Sequence, residues 1–391
     1  MSQEGPLFFL MAGEASGDLI GARLMAALTE QTQGSARFAG VGGERMMAQG
    51  LEPLFPMQEL AVFGLVEVLR HIPRLLGRIR QTAQAAHQMR PAAVIGIDAP
   101  DFCLRVAKRL KGRGIPLVHY VAPSVWAWRP GRARKVAKIL DHLLTLLPFE
   151  PPYFEREGLA TTFVGHPIIE SDVARGDGAR FRLAHHITPE QPVLVVLPGS
   201  RAGEIRRLAP IFGQTLDALA RRFPDLSVVV PTLPSVAGLV AHEAQSWPVH
   251  PLLLLGDTAK YDAFAAADVA LAASGTVSVE LAMAGVPSII GYRVNPLSAM
   301  IFRMVTKIRY ASLLNLMEDR MVIPEFLQQY CRPDVLAPAV TQLLEDPTAR
   351  QRQREVAARL PAWLGAGPMM PSARAARTVL SVAGIAPKET T

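Results

Sequence analysis

The stretch Val269-Ala270-Leu271-Ala272-Ala273-Ser274-Gly275-Thr276-Val277-Ser278-Val279-Glu280-Leu281-Ala282-Met283-Ala284-Gly285-Val286-Pro287 decides the fold. An apolar run of strand length ends in a Ser-Gly-Thr turn. The turn opens a helical segment that stops at Gly285, with Pro287 beyond. Strand, turn and helix in this order make up half of a parallel βαβ unit. The turn offers hydroxyls and unpaired N–H groups at a helix N-terminus, and Glu280 lies one turn inside the helix. Phosphate at the turn and ribose hydroxyls on Glu280 would suit one nucleoside diphosphate. The competing reading is a glutamate that only compensates the helix macrodipole.

The same alternation recurs on both sides of this stretch. Apolar runs at Leu7–Met11, Ala93–Ile97, Leu117–Val121, Leu143–Leu146, Val193–Leu197 and Leu226–Val230 each give way to a turn and then a longer, helically spaced segment. The first series ends near Thr162-Phe163-Val164-Gly165-His166-Pro167, and the second begins at Val193 after a polar stretch, Glu170–Arg182. The expectation is α/β, with an N-terminal Rossmann-like domain over 1–168, a C-terminal one over 169–355, and a helical tail over 356–391 that packs back on the body.

In open parallel sheets ligands bind outside the carboxyl ends of strands, so the turns after the apolar runs hold the candidate residues. Ala12-Gly13-Glu14-Ala15-Ser16-Gly17-Asp18 follows the first run and precedes an amphipathic helix. It is not the G-x-G-x-x-G of a dinucleotide site. In Gly96-Ile97-Asp98-Ala99-Pro100-Asp101-Phe102, Asp98 stands where a carboxylate could take a proton from a substrate hydroxyl. Capping of the following helix is the alternative for Asp98 and the better reading for Asp101. His119–Arg129 carries Trp126 and Trp128 beside basic Arg132, Arg134, Lys135 and Lys138, a combination that suits a sugar or an amphipathic anion. In Leu197-Pro198-Gly199-Ser200-Arg201, Gly199 and Ser200 can form a nest of N–H donors to which Arg201 adds a guanidinium fork. The turn lacks the lysine and the length of a P-loop.

Composition narrows the class. The chain has 391 residues, of which 50% are hydrophobic and 19% charged, so one small module and general disorder are both excluded. Leu226–Ala241, a long stretch without Asp, Glu, Lys or Arg, contains Pro231 and Pro234, so no spanning helix is expected. The start has no basic n-region, which argues against a signal peptide and for a cytoplasmic site of action. Two cysteines, Cys103 and Cys331, make no disulfide framework, and there is no H-E-x-x-H, Cys/His cluster or D-x-D. No metal and no cofactor are expected. A formal charge of +7 favours an anionic partner, but the dispersed basic residues match no nucleic-acid reader.

Taken together, these segments resemble the lipid-A-disaccharide synthase family from about residue 7 to residue 380. The resemblance is carried by Ala12–Asp18, Phe38–Gly43, Gly64–Leu69, Gly96–Phe102, His119–Arg129, Leu147–Glu150, Val164–Pro167, Leu197–Arg201 and Ser274–Gly285, in that order. It implies a GT-B fold, two Rossmann-like domains facing across a cleft. It further implies an inverting glycosyltransferase of Gram-negative lipid A assembly, with UDP-2,3-diacylglucosamine as donor and 2,3-diacylglucosamine 1-phosphate as acceptor. On this resemblance Asp98 is the general base. Gly199, Ser200, Arg201, Ser274, Gly275, Thr276 and Glu280 hold UDP, and Gly13, Glu14, Ser16, Gly17, Asp18, Trp126 and His166 line the acceptor side or the cleft. The segment Asn315–Phe326 fits the family loosely, so Glu318 and Glu325 have no assigned role. Other GT-B enzymes, namely the muramyl-lipid N-acetylglucosaminyltransferase and sugar-nucleotide epimerases, share the donor-side logic. A non-catalytic UDP-sugar-binding protein would share it too.

Acylated substrates require contact with a bilayer. Between Gly64 and Arg80, Leu65, Val68, Leu69, Ile72, Leu75, Leu76 and Ile79 recur at helical spacing, Val66 widens the stripe, and Arg70, Arg74, Arg78 and Arg80 lie among them. Pro73 is expected to split the run into two helices by starting the second. The stripe reads either as core or as a peripheral anchor on the inner face of the inner membrane, with Val66, Val68, Leu69, Ile72, Leu75 and Leu76 as its lipid-facing patch. A second copy of the chain is also a candidate partner.

Overall fold

The computed structural model describes residues 5–60, 65–126, 131–295 and 309–387, with the side chains of 65–72 excepted. The chain forms two compact units, residues 1–170 with 362–391, and residues 171–361. Each is built on one parallel sheet with helices on its faces.

In the first unit the strands are β1 (Leu7–Ala12), β2 (Arg37–Val41), β3 (Glu52–Pro53), β4 (Ala93–Ile97), β5 (Leu117–Tyr120), β6 (His142–Thr145) and β7 (Ala160–Phe163). Their spatial order is β3-β2-β1-β4-β5-β6-β7, and every pairing is parallel. β1 and β4 are buried on both faces, which is why they read as unbroken apolar runs. One core layer lies between the sheet and the helices Leu65–Met89 and Pro100–Leu110, with Phe9, Val94, Phe102, Val106 and Leu117 in it. On the opposite face the helix Ala15–Gln31 packs with the last helix, Pro371–Val382, whose Ala375, Ala376, Val379 and Leu380 are fully buried. The chain therefore leaves this unit after Glu170 and returns to complete it.

The second unit has β8 (Val193–Leu197), β9 (Ser227–Thr232), β10 (Leu252–Leu255), β11 (Val269–Ala272), β12 (Ser288–Tyr292) and β13 (Glu325–Leu327), in the order β10-β9-β8-β11-β12-β13 and again all parallel. Both sheets thus reverse direction of growth at one place, between β1 and β4 and between β8 and β11. Right-handed crossovers leave a crevice at such a switch point, at the carboxyl ends of the central strands.

Pro73 does not divide the helix Leu65–Met89, which runs continuously through it. Proline's φ is helical, so its cost is one missing N–H bond and local crowding. The segment after it is held by burial of Ile79, Ala83 and Ala86 in the core. Leu75 and Leu76 are half-buried against the same core, and Arg74 and Arg78 both pair with Glu59, at 2.9 and 2.8 Å. These arginines are therefore less available to lipid headgroups than the sequence pattern suggests. Val66, Val68, Leu69 and Ile72 lie outside the residues whose side chains are described. Among the described residues no helix is long and apolar enough to cross a membrane.

Candidate active site

The first unit's switch point gathers the turns after β1 and β4. The missing side chain of Gly13 lets them touch, since a Cβ there would stand 2.8 Å from Cβ of Ala99. Gly17 similarly lets the first helix turn approach the carbonyl of Ile97. Ser16 Oγ donates to Asp98 Oδ2 at 2.8 Å, and the N–H of Asp98 donates to the carbonyl of Tyr120 at 2.9 Å. Asp98 is not a helix cap: the N-cap is Ala99, and no side-chain bond caps the helix Pro100–Leu110. Asp101, expected as a cap, lies in the first turn with its side chain 90% exposed and paired to Arg132 at 3.1 Å.

Three residues other than glycine adopt left-handed backbone here, Asp98 (φ 52°), Ala99 (φ 40°) and Val121 (φ 79°). A β-branched residue in that region is strained by about 1–3 kcal/mol, and such strain gathers where side chains must be aimed. The φ of Val121 also ends β5 one residue earlier than the apolar run suggests.

The remaining acceptor-side candidates divide. Glu14 and Ser16 are exposed at the opening of the helix Ala15–Gln31. Asp18 faces away from solvent: its carboxylate accepts from the N–H groups of Gly43, Arg45 and Met46 at 2.8 to 3.1 Å, capping the helix Glu44–Ala48. Its role is to fix the β2 turn beside the switch point. Trp126 packs edge-on against Phe149 at 5.3 Å, and its indole N–H donates to Glu150 Oε1 at 3.3 Å. Trp128 lies outside the described residues. His166 sits where the returning chain crosses: its backbone N–H donates to the carbonyl of Leu364, and its Nδ1 accepts from Ile168. Burial pulls its ring down to about 4, so it is neutral.

Sequence reasoning overlooked two buried groups nearby. Glu150 accepts from the N–H groups of Leu146 and Leu147 as well as from Trp126, yet burial outweighs these donors and pushes its carboxyl up to about 7. The segment Leu147–Glu150 carried the only signal for it. His119, on β5, is 1% exposed, and burial followed by the charge of Arg132 holds it down at about 4. Its neighbour across the sheet is Gly96, where a Cβ would stand 2.8 Å from the imidazole Nδ1.

In the second unit, β8 and β11 are in register at Leu197 and Ala272, so their two turns begin side by side. Gly199 has φ 124°, and Arg201 is the exposed N-cap of the helix Ala202–Arg222. Ser200 donates its N–H to Glu204 Oε2 at 3.2 Å. From the other turn Ser274 Oγ donates to the carbonyl of Ala311, Gly275 is the N-cap, and Thr276 opens the helix Thr276–Met283. Glu280 is mostly buried and pairs with Lys260, a residue the sequence did not single out. Burial raises the Glu280 carboxyl against the opposing pull of that ammonium.

The loosely fitting segment has a structural role. Glu325 accepts from the N–H groups of Ala311 and Ser312 at 2.6 and 2.8 Å and from Asn315 Nδ2 at 2.7 Å. Asn315 is fully buried, and its Oδ1 accepts from the N–H groups of Val322 and Ile323. This network holds the loop that receives Ser274. Glu318 pairs with Arg320 and Arg359. Among the described residues no group of three His, Cys, Asp or Glu could hold a metal.

Comparison with known proteins agrees with this fold. The family model described as "Lipid-A-disaccharide synthetase" matches residues 8–362. A lipid-A-disaccharide synthase of Rhodospirillum centenum is 59% identical over 378 residues, 96% of this chain and 94% of that one. Among solved structures, a putative UDP-N-acetylglucosamine 2-epimerase from Listeria monocytogenes superposes with TM-score 0.64 at 11% identity, covering 98% of this chain and 96% of that one. Acinetobacter baumannii MurG does so with TM-score 0.57 at 15% identity, covering 97% and 100%. At such identities these two share the fold alone. Two parallel Rossmann-like sheets with GT-B-like neighbours and a sequence match over nearly the whole chain lead to one conclusion: the chain belongs to the lipid-A-disaccharide synthase family of glycosyltransferases.

Proposed function

We propose that, in the transfer of diacylglucosamine from UDP to diacylglucosamine 1-phosphate, the first unit takes the acceptor and the second takes UDP. The observation that carries this reading is the Ser16–Asp98 pair at the end of β4, a carboxylate oriented by a hydroxyl on strained backbone. Asp98 removes the proton of the acceptor 6-hydroxyl as its oxygen attacks the anomeric carbon, and the bond to UDP breaks on the opposite face. The configuration at that carbon inverts. Charge growing on the leaving diphosphate is met by Arg201 and by the N–H groups of the Gly199-Ser200 and Ser274-Gly275-Thr276 turns. Glu280 takes the ribose hydroxyls, with Lys260 as its counter-ion.

The enzyme reaches its substrates, on this reading, by docking on the inner leaflet through Val66, Val68, Leu69 and Ile72, with Leu75 and Leu76 at the margin of the patch. The test is an assay of the purified protein with labelled acceptor and acylated or unacylated donor. A disaccharide product that requires acyl chains and disappears in Asp98→Asn supports the reading. Epimerisation of the donor without acceptor overturns it.

A further inference from the structure

The Gly199-Ser200 turn already carries an anion, one supplied by the chain itself. Glu204 is the third residue of the helix Ala202–Arg222. In an ordinary capping box a glutamate there reaches the N–H of the N-cap residue, here Arg201. Glu204 instead reaches one residue further, so that Oε2 takes the N–H of Ser200 at 3.2 Å. Its other oxygen, Oε1, accepts from the hydroxyl of Tyr292, at the end of β12, at 3.0 Å. The turn is shaped around this side chain: a Cβ on Gly199 would stand 2.7 Å from Glu204 Cβ and 2.8 Å from its Oε2. Two cations lie at the start of the same helix. Arg201 is the N-cap, and the guanidinium of Arg207 folds back over the first turn, where a Cβ on Gly203 would lie 3.3 Å from it.

We propose that Glu204 is an internal placeholder for the donor's phosphate. Its carboxylate occupies the anion seat of the turn and must release the Ser200 N–H when a diphosphate binds, while keeping its bond to Tyr292. The proposal rests on the assignment of the donor diphosphate to this turn. The two oxygens of Glu204 have partners on two different elements, which makes the exchange feasible, because only one of the two bonds is given up. Burial and the Glu204 charge hold the Tyr292 phenol up at about 12, so it remains a donor throughout. Before binding, the carboxylate satisfies an otherwise open N–H at a helix start that also carries Arg201 and Arg207. After binding, it leaves them to the phosphates.

The experiment is calorimetric titration of UDP, and of uridine as a phosphate-free probe, into the whole chain and its variants. Glu204→Gln keeps the size and hydrogen-bonding capacity of the side chain but removes the competing charge. It is expected to bind UDP about fivefold more tightly, the scale of one partly screened charge pair, with uridine unchanged. Tyr292→Phe removes the retained bond and is expected to weaken UDP binding in the wild-type background but not in Glu204→Gln. If Arg201→Ala weakens UDP binding while Glu204→Gln leaves it unchanged or weakens it, Glu204 is a structural cap and the placeholder is overturned with the donor site intact. If neither Arg201→Ala nor Glu204→Gln alters UDP binding, the donor assignment fails and the placeholder with it. Should Glu204→Gln not fold, as read by thermal melting, unchanged UDP binding in Tyr292→Phe alone is itself sufficient to overturn the proposal.

Discussion

The ammonium of Lys260 lies 3.1 Å from Oε2 of Glu280, and its other partner is Asp257 at 3.0 Å. Burial alone would lower the Lys260 ammonium, but the carboxylates of Glu280 and Asp257 and the Tyr261 hydroxyl reverse this and raise it. Lysine and glutamate thus form a partly desolvated pair beside the Ser274 turn. Removing one member strands the other's charge, which costs more than the pair contributes. Lys260→Met should therefore weaken UDP binding, as should Glu280→Ala by about 1.5–3 kcal/mol, the usual value of a charge-assisted contact. The double variant should bind more tightly than additivity predicts. Calorimetry on the four proteins checks this, and strict additivity would mean the pair does not act as a unit.

Asp98→Asn should lower turnover by roughly 10²–10⁴-fold with UDP affinity little changed, as expected for loss of a general base. Ser16→Ala leaves the carboxylate but frees its rotation. It should lower kcat by a smaller factor with KM nearly constant, and Ser16→Thr should restore most of it. Near-normal turnover in Asp98→Asn would remove Asp98 from the mechanism.

Glu150 predicts a pH signature in stability. Its carboxyl is raised from 4.5 to about 7 in the folded protein, chiefly by burial. The folded state therefore holds a proton that the unfolded state releases. The stabilisation is fully present below about pH 4.5 and is lost as pH rises to 7, on the order of 2–3 kcal/mol in all. His119 and His166, both lowered from 6.5 to about 4, act oppositely across most of the same range, so the comparison must be with Glu150→Gln. Melting curves should show the variant gaining on wild type between pH 4.5 and 7 and parallel to it above. A constant difference across that range would show that Glu150 is ionised in the fold.

Replacing Val66, Val68, Leu69 and Ile72 together by Ser should release the protein from liposomes containing anionic lipid while leaving its melting temperature within a few degrees. Leu75, Leu76 and Ile79 are left intact because they pack against the core. Retained sedimentation with vesicles at low salt would place the membrane contact elsewhere.

Turnover should persist in EDTA, since the leaving diphosphate is assigned to Arg201 and two helix N-termini. Loss of activity on chelation with recovery on adding Mg²⁺ would assign that charge to a metal instead.

Much of this was legible from local pattern. Strands buried on both faces leave uninterrupted apolar runs, so Ala93–Ile97, Val193–Leu197 and Val269–Ala272 were readable to the residue. β10, β12 and β13 were not singled out; β10 has four residues and β13 three half-buried ones, and no contrast with their surroundings marks them. Candidate residues were legible where a turn follows a strong strand, as at Asp98, Arg201 and Ser274. Partners arriving from distant elements were not: Ser16 for Asp98, Lys260 for Glu280, Tyr292 for Glu204.

The sequence by itself determined the class, two parallel α/β units, because hydrophobic period and turn chemistry are local properties that act within about twenty residues. It also carried the family, through motifs in fixed order. Only the tertiary structure decided what each polar side chain does. Asp18 and Asp98 both look like ligands of one switch point, yet one carboxylate caps the helix Glu44–Ala48 and the other pairs with a single serine. The helix Pro371–Val382 likewise shows an ordinary amphipathic pattern, but only packing could assign it to the unit that began the chain. The physical reason is the same in both cases. Burial and hydrogen-bond partners are set by sheet order and crossover, which bring together residues tens to hundreds of positions apart, and no local pattern records which neighbour will arrive.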